Sequence, residues 1–237
     1  MALKDDLVAE VKGIFSTHWK TEDTNDVPEP EDLGLDSNHA KTLSAATVLY
    51  ADLDGSTRMV DNYPWTLAAE VYKSFLRCSA KIIRDEGGTI AAYDGDRVMG
   101  IFVGSWKNTS AVRAALKINW ATKNIVQSEL RSFYATSHSG FEVKHVVGVD
   151  TSELHAARIG VRGDNDIVWI GRAANYAAKL GAISGTSTWI TKAVYDVMLK
   201  EVKFSNNGTG ANMWTEHAWT TMSNAPIYGS TYWWRID

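Results

Sequence analysis

The sequence predicts an α+β fold with a βαββαβ core, followed by additional strands toward the C-terminal end. An apolar, partly β-branched run at residues 45–53 is typical of a buried first strand. Apolar residues then recur at helical spacing at 64–85 and again at 110–133. Between these helices, strands predicted at 89–93 and 98–103 flank an Asp-Gly pair, which indicates a tight hairpin. With a further strand after the second helix, this order is that of a ferredoxin-like core.

The other elements extend the core at both ends. Strands are predicted at 141–149, 155–161, 167–170 and 189–190, helices at 171–180 and 192–199, and tail strands joined by turns at 206–208 and 223–226. At the start of the chain, residues 3–18 have the periodicity of an amphipathic helix. We divide the chain into this N-terminal helix at 1–19, an acidic linker at 20–44 and a main domain at 45–237.

The composition argues against several classes of protein. Of the 237 residues, 45% are hydrophobic, so the chain can form a sizeable core. The net charge of −4 and the lack of a sustained basic patch argue against nucleic-acid binding. No apolar run has membrane-spanning length, and the first residues do not form a signal peptide. Cys78 is the single cysteine, which excludes an internal disulfide. Together these features predict a cytoplasmic protein without membrane contacts.

Two aspartates form a candidate metal site. Asp52 ends the first predicted strand, and Asp96 lies at the tip of the central hairpin. In a βαββαβ sheet these strands are neighbours, and carboxylates on adjacent strands suit hard divalent cations, which prefer oxygen ligands. Two such ions suit in-line displacement at phosphorus. The alternative interpretation is that Asp52 caps a helix and Asp96 is an ordinary turn residue.

The segment after Asp52 is a candidate phosphate site. Gly55, Ser56 and Thr57 form a small-residue loop between the first strand and the following helix. Such a loop exposes backbone N–H groups, and a helix start favours anions. A triphosphate would therefore bind beside the metal ions.

With these motifs the sequence resembles a known family, the class III nucleotidyl cyclases. Its signature V-L-F-A-D-I-x-G-F-T resembles residues 48–57, and its pattern G-G … K-x-x-G-D-x-x-M resembles residues 87–99. The motifs G-I-x-x-G, x-G-x-x-V-N-x-A-x-R-L and I-x-I-S/T resemble residues 147–151, 170–180 and 189–191. Order and spacing hold from about residue 45 to 195, so the resemblance covers most of the main domain.

The resemblance implies the roles of several residues. Asp52 and Asp96, with the Leu53 carbonyl, would bind two divalent metal ions, Mn or Mg. Asn175 would orient the ribose, and Lys179 stands where the family has a transition-state arginine. It also implies a head-to-tail homodimer of the class III cyclase type, in which one subunit supplies the carboxylates and the other supplies the residues of the 171–180 helix.

Departures from the family pattern concern the base of the substrate. Adenylate cyclases read the base with a lysine and an acidic residue or threonine, and these positions are Ala92 and Val168 here. Neither can hydrogen-bond a purine. Ser56 replaces the usual aromatic after the glycine, and lysine at 179 lacks the fork of arginine. Either the domain is inactive or its pocket reads another base; the intact aspartates favour the second explanation.

Three further residues are candidates for binding that other base. Tyr50 shares a strand face with Asp52, and Asp94 and Trp169 flank the base position. Asp94 could accept a hydrogen bond from the N3–H of uracil or the amino group of cytosine. Core packing is the alternative role for Tyr50 and Trp169.

The whole pattern, including L-Y-A-D-L-D-G-S-T at residues 49–57, resembles the bacterial pyrimidine cyclases of the Pycsar anti-phage systems. This implies conversion of UTP to cyclic UMP, which would activate a separate effector. CTP as the substrate, a purine nucleotide cyclase and a non-catalytic nucleotide-binding regulator remain alternatives. Arg97, Arg158 and Arg172 are interpreted as surface ion-pair residues rather than phosphate ligands.

Overall fold

The computed structural model describes residues 2–35, 38–134 and 140–236. Its strands form one sheet. They are β1 (Lys20–Thr24), β2 (His39–Asp54), β3 (Thr89–Asp94), β4 (Arg97–Phe102), β5 (Lys144–Val161), β6 (Asp164–Ile170), β7 (Thr188–Thr191), β8 (Thr215–Trp219) and β9 (Ala225–Ser230). The main helices are α1 (Leu3–Ser16), α2 (Ser56–Asn62), α3 (Trp65–Asp85), α4 (Lys107–Ala121), α5 (Gln127–Phe133), α6 (Arg172–Gly181), α7 (Lys192–Val197) and α8 (Lys200–Lys203). Short helical turns lie at Pro30–Asp32, Ser205–Gly208 and Thr220–Met222.

The predicted ferredoxin-like core is confirmed. In chain order its elements are β2, α3, β3, β4, α4 and β5, and the four strands lie side by side in the order β3-β4-β2-β5. Each neighbouring pair is antiparallel, because the hairpin reverses the chain between β3 and β4, whereas each helical crossover keeps the strand direction and joins two strands that are not neighbours. The sheet continues through β7, β9 and β8, which are the predicted C-terminal additions.

The two faces of the sheet bury different clusters. Along β2 the side chains alternate, so Leu49, Ala51 and Leu53 pack with the main core under α3 and α4. Val48 and Tyr50 point to the opposite face, where they pack near the alanines of α6. Asp52 continues this second row. The alternation therefore places Asp52 and Tyr50 on the face that carries α6.

Helix α6 lies in close contact with β5. A β-carbon built on Gly148 of β5 would be 2.1 Å from the carbonyl oxygen of Ala177 and 2.6 Å from the amide nitrogen of Gly181. Both are backbone atoms, so any side chain at position 148 would push the helix away from the sheet. Glycine at this position is what allows α6 to pack directly on the strand.

Two secondary-structure predictions are corrected. The acidic segment 20–44 is not wholly irregular, because it contains β1, paired in parallel with β2, and β2 begins at His39. Residues 36–37 of this segment lie outside the described residues. β1 has the sequence KTEDT, so it is held by backbone pairing and has no apolar periodicity to reveal it. The strands predicted at 141–149 and 155–161 are one strand, β5, whose pairing with β2 continues past an irregularity between Leu43 and Ala46.

The predicted helix at 110–133 is present as α4 and α5, joined by a π-helical turn at Thr122–Val126.

The predicted N-terminal helix is α1. Its apolar side chains are exposed, from 50% at Leu7 and Val11 to 87% at Phe15. The buried amide of Asn38 holds its C-terminal end by donating to the Ile14 and Thr17 carbonyls, both at 2.7 Å. Among the described helices, none has the length and apolar character to cross a membrane. The division into helix, linker and main domain stays a prediction.

Candidate active site

The sheet brings Asp52 and Asp96 together. The register pairs Ala51 of β2 with Val98 of β4, so the next position along places Asp52 beside Arg97 at the start of β4. Residues 94–97 form the hairpin turn, in which Gly95 takes the left-handed conformation with φ of +61°. Asp96 therefore lies at the end of the strand next to Asp52. The Asp-Gly signal in the sequence is what locates this carboxylate.

The electrostatics of the pair suit a cation. Burial, followed by the neighbouring charge of Asp96, raises the pKa of Asp52 to about 6, against the opposing effect of Arg97. Asp96 Oδ2 is buried and has no hydrogen-bond partner among the described residues. Two close carboxylates, one with an unsatisfied buried oxygen, fit a hard divalent cation. In the described part of the chain, no third Asp, Glu, His or Cys completes a metal cluster. The remaining ligands would then be backbone, water or substrate oxygens.

Arg97 belongs to this site, although it was interpreted from the sequence as a surface ion-pair residue. Its guanidinium donates two hydrogen bonds to Asp94 Oδ2, one of them from Nε at 3.2 Å. It also lies over the ring of Tyr50, 5.7 Å from the ring centroid. Its charge lowers the pKa of Asp52. The pairing of β2 with β4 could have identified Arg97 as a site residue, because this pairing places position 97 next to Asp52.

Part of the predicted base pocket is assembled within one chain. Tyr50, Ala92 and Trp169 pack against the same buried cluster on the α6 face of the sheet. Burial raises the pKa of the Tyr50 hydroxyl, which is about half-buried. The indole Nε1–H of Trp169 is buried without a partner among the described residues. Val168 precedes Trp169 on β6, so its side chain points to the opposite face.

Asp94, the other predicted base contact, is largely exposed and its carboxylate is engaged by Arg97. The base-binding roles of Asp94 and Val168 stay predictions.

The predicted phosphate loop lies between β2 and α2. Gly55 takes the left-handed conformation, with φ of +80°, and Ser56 begins α2. A cavity of 430 Å³ borders Gly55 and Ser56 on the side of Arg58 and Lys144.

That cavity is not lined by Asp52 or Asp96, so it is separate from the candidate metal site. The phosphate-binding role of Gly55, Ser56 and Thr57 stays a prediction.

The other half of the predicted site is on α6. Asn175 and Lys179 are both exposed, and Lys179 Nζ lies 3.6 Å from the sulfur of Met222. Within the described residues, no hydrogen bond or ion pair joins either of them to Asp52 or Asp96. One chain therefore presents two separate groups of predicted site residues.

Comparison with curated proteins finds relatives that match over the full length. A uridylate cyclase from Burkholderia cepacia is 53% identical over 236 residues, covering 100% of each chain. One from Xanthomonas perforans is 48% identical over 237 residues, again covering 100% of each chain. This chain belongs to the uridylate cyclase family. A more distant uridylate cyclase, from Rhodovulum sp. (strain MB263), is 37% identical over 237 residues and covers 98% of each chain. No protein-family model matches the chain.

The fold of this uridylate cyclase family member is that of class III cyclase domains. The adenylyl cyclase CyaB from P. aeruginosa superposes with a TM-score of 0.64 at 21% identity, covering 83% of this chain and 97% of that one. A class III adenylyl cyclase-like ATP-binding protein from Pseudomonas aeruginosa gives 0.67 at 20% identity, covering 84% of this chain and 44% of that one. The fold predicted from the sequence motifs is thereby confirmed.

Proposed function

We propose that this protein converts UTP to 3',5'-cyclic UMP and pyrophosphate. The observation that carries the proposal is the pairing of Asp52 with Asp96 beside Tyr50, in a chain 53% identical over its full length to a uridylate cyclase. The paired carboxylates supply the acidic site that phosphoryl chemistry needs. Tyr50 and its neighbours supply an adjoining, largely apolar surface.

Asp52 and Asp96, with the Leu53 carbonyl, would hold two divalent ions, Mn or Mg. The orphaned Oδ2 of Asp96 and the raised pKa of Asp52 support this assignment, because both features are relieved by a cation. When bound, such ions lower the pKa of the attacking hydroxyl and neutralise charge on the phosphates. The chain's own contribution is to hold the two carboxylates at adjacent strand ends.

The reaction is an internal substitution at the α-phosphorus. The ribose 3'-oxygen forms a bond to that phosphorus, the bond to the bridging oxygen breaks, and pyrophosphate leaves. The 3'-hydroxyl proton passes to solvent. Asn175 orients the ribose, and Lys179 places a positive charge beside the α-phosphate as negative charge builds up in the transition state. Lys179 acts as a point charge because it lacks the planar fork of arginine.

The pocket chemistry supports a pyrimidine base. Ala92 has no polar group where purine cyclases carry a lysine, and the ring of Tyr50 fills the space left by a smaller base. The buried N–H of Trp169 is a donor without a partner among the described residues, and it matches a carbonyl acceptor. Uracil presents two carbonyl oxygens, whereas cytosine replaces one with an amino group. Both bases keep the carbonyl oxygen at C2, so this donor alone does not separate them, and the preference for UTP over CTP rests on the 53% identity to a uridylate cyclase.

We also propose that the active site is completed by a second copy of the chain. Asn175 and Lys179 are exposed on α6, without a bond to the carboxylate pair in the described residues, which suits a head-to-tail homodimer whose subunits exchange these groups. The cyclic nucleotide would act in the cytoplasm on a separate effector as an anti-phage signal, as the family resemblance implies.

The test is to incubate the purified protein with UTP, CTP, ATP or GTP and manganese, and to identify products by mass. We expect cyclic UMP from UTP, and no product from Asp52→Ala or Asp96→Ala. Asp85→Ala, at an exposed aspartate at the end of α3, is the control and should keep full activity. Cyclic CMP, AMP or GMP as the main product would contradict the substrate assignment. Triphosphate binding without product would favour a non-catalytic regulator.

A further inference from the structure

The first turn of α6 is attached to β5 by a set of polar contacts. The Ala173 amide donates to Ser152 Oγ at 2.9 Å. The Arg172 guanidinium donates to the Thr151 carbonyl at 2.7 Å, and its Nε donates to Asp150 Oδ2 at 3.1 Å. These contacts fix the start of the helix relative to the strand.

Asp150 is the centre of this arrangement. Its side chain is completely buried, and it accepts a hydrogen bond at 2.5 Å from the hydroxyl of Thr191 at the end of β7. Burial raises the pKa of Asp150, while the Thr191 hydroxyl and Arg172 oppose that rise. One buried carboxylate therefore links β5, β7 and α6, and its main compensating positive charge comes from α6.

Helical spacing connects Arg172 to the predicted catalytic side chains. Arg172, Asn175 and Lys179 occupy positions i, i+3 and i+7, so they lie along one face of α6. A rotation of the helix that moved the Arg172 guanidinium would therefore turn Asn175 and Lys179 in the same direction. Because α6 rests directly on Gly148, the helix has little room to settle elsewhere.

We infer that Asp150 and Arg172 are a positioning pair, which sets the rotation of α6 so that Asn175 and Lys179 face the reacting ribose and α-phosphate. Neither residue of the pair is assigned a contact with substrate. The Arg172 guanidinium is occupied by Asp150 and the Thr151 carbonyl, and it lies 5.5 Å from the ring centroid of Tyr176. The inference rests on the proposed cyclase function.

The test compares Arg172→Gln with wild type and a matched control. Arg113→Gln is the control, because Arg113 of α4 is also a partly exposed arginine paired with a nearly buried carboxylate, that of Glu86. For each variant, kcat and KM for UTP are measured with manganese, together with the folded fraction, Tm and mass in solution. We expect Arg172→Gln to lower kcat per folded molecule by about tenfold or more, with KM changed less than about threefold. Arg113→Gln should lower Tm and leave kcat unchanged.

A double-mutant comparison separates positioning from a general structural role. If Arg172 acts through Asn175 and Lys179, Arg172→Gln should lower kcat by a smaller factor in an Asn175→Ala background than in wild type. One of the groups that Arg172 orients is already absent in that background. Independent effects would multiply. If Arg172→Gln does not fold, Asp150→Asn takes its place, because it keeps the size of the side chain and the Thr191 contact.

Three outcomes are distinguishable. An unchanged kcat with a lower Tm, or losses that multiply, would overturn the positioning role while leaving the cyclase function intact. Absence of cyclic UMP from the wild-type protein would instead remove the proposed function. A lower kcat with coupled losses supports the pair as an orienting element.

Discussion

Gly148 of β5 lies directly beneath the carbonyl of Ala177 on α6, with room for no side chain between strand and helix. We predict that Gly148→Ala destabilises the protein by about 2–3 kcal/mol, because the new methyl group must push two backbone segments apart. For a chain of this size, that corresponds to a fall in Tm of roughly 4–12 °C. Differential scanning calorimetry measures it.

Gly13→Ala is the matched control for this substitution. Gly13 lies in α1, and a β-carbon there would meet nothing within 4 Å. The Tm of Gly13→Ala should equal that of wild type or rise slightly, because alanine has a higher helix propensity than glycine. A wild-type Tm for Gly148→Ala would contradict the close packing of α6.

Trp169 offers a test of base recognition. We predict that Trp169→Phe lowers kcat/KM for UTP by about tenfold, the value of one hydrogen bond of about 1.4 kcal/mol. Any loss of stability in the free protein should come from the smaller ring alone, because Trp169 packs against a buried cluster and the indole N–H that is removed has no partner among the described residues. Steady-state kinetics and thermal unfolding on the same samples measure both quantities. Unchanged kcat/KM would assign Trp169 to packing alone.

His145 is expected to make stability depend on pH. Its side chain is buried on β5, and burial lowers its pKa from 6.5 to about 3. Between these values the unfolded chain binds a proton that the folded chain does not, so stability falls as pH drops below 6.5. The expected loss is about 2 kcal/mol between pH 7 and pH 5. Urea unfolding at both pH values measures it.

The comparison variant for this prediction is His145→Leu, which should lack this part of the pH dependence. His18→Gln, at an exposed histidine, should behave as wild type. An identical pH dependence in wild type and His145→Leu would show that His145 takes up its proton without unfolding.

Asn38 is predicted to anchor α1. Asn38→Ala removes two hydrogen bonds to carbonyls near the C-terminal end of the helix, so amide hydrogen exchange in α1 should become faster. The global Tm should change little, because α1 buries none of its residues. Asn124→Ala, which removes a contact within its own helical run, should leave exchange in α1 unchanged. Wild-type exchange in Asn38→Ala would mean that α1 is held in another way.

Local patterns in the sequence account for most of the core. The Asp-Gly signal placed the hairpin and with it Asp96, and the helical spacing around Asn175 placed α6. Each of these depends on residues within about one element of each other, because turn chemistry and periodicity are local properties. β1 escaped prediction because its five residues carry no apolar pattern and are held by backbone pairing with β2.

The sequence by itself determined the order of the core elements, the family resemblance and the two candidate carboxylates. Only the tertiary structure decided which distant side chains meet. Arg97 lies over Tyr50, 47 positions earlier in the sequence, and Asp150 binds Arg172 and Thr191, which lie 22 and 41 positions further along. Such contacts depend on strand register and on how closely α6 approaches the sheet. Both are set by the packing of the whole core, so no local sequence pattern predicts these contacts.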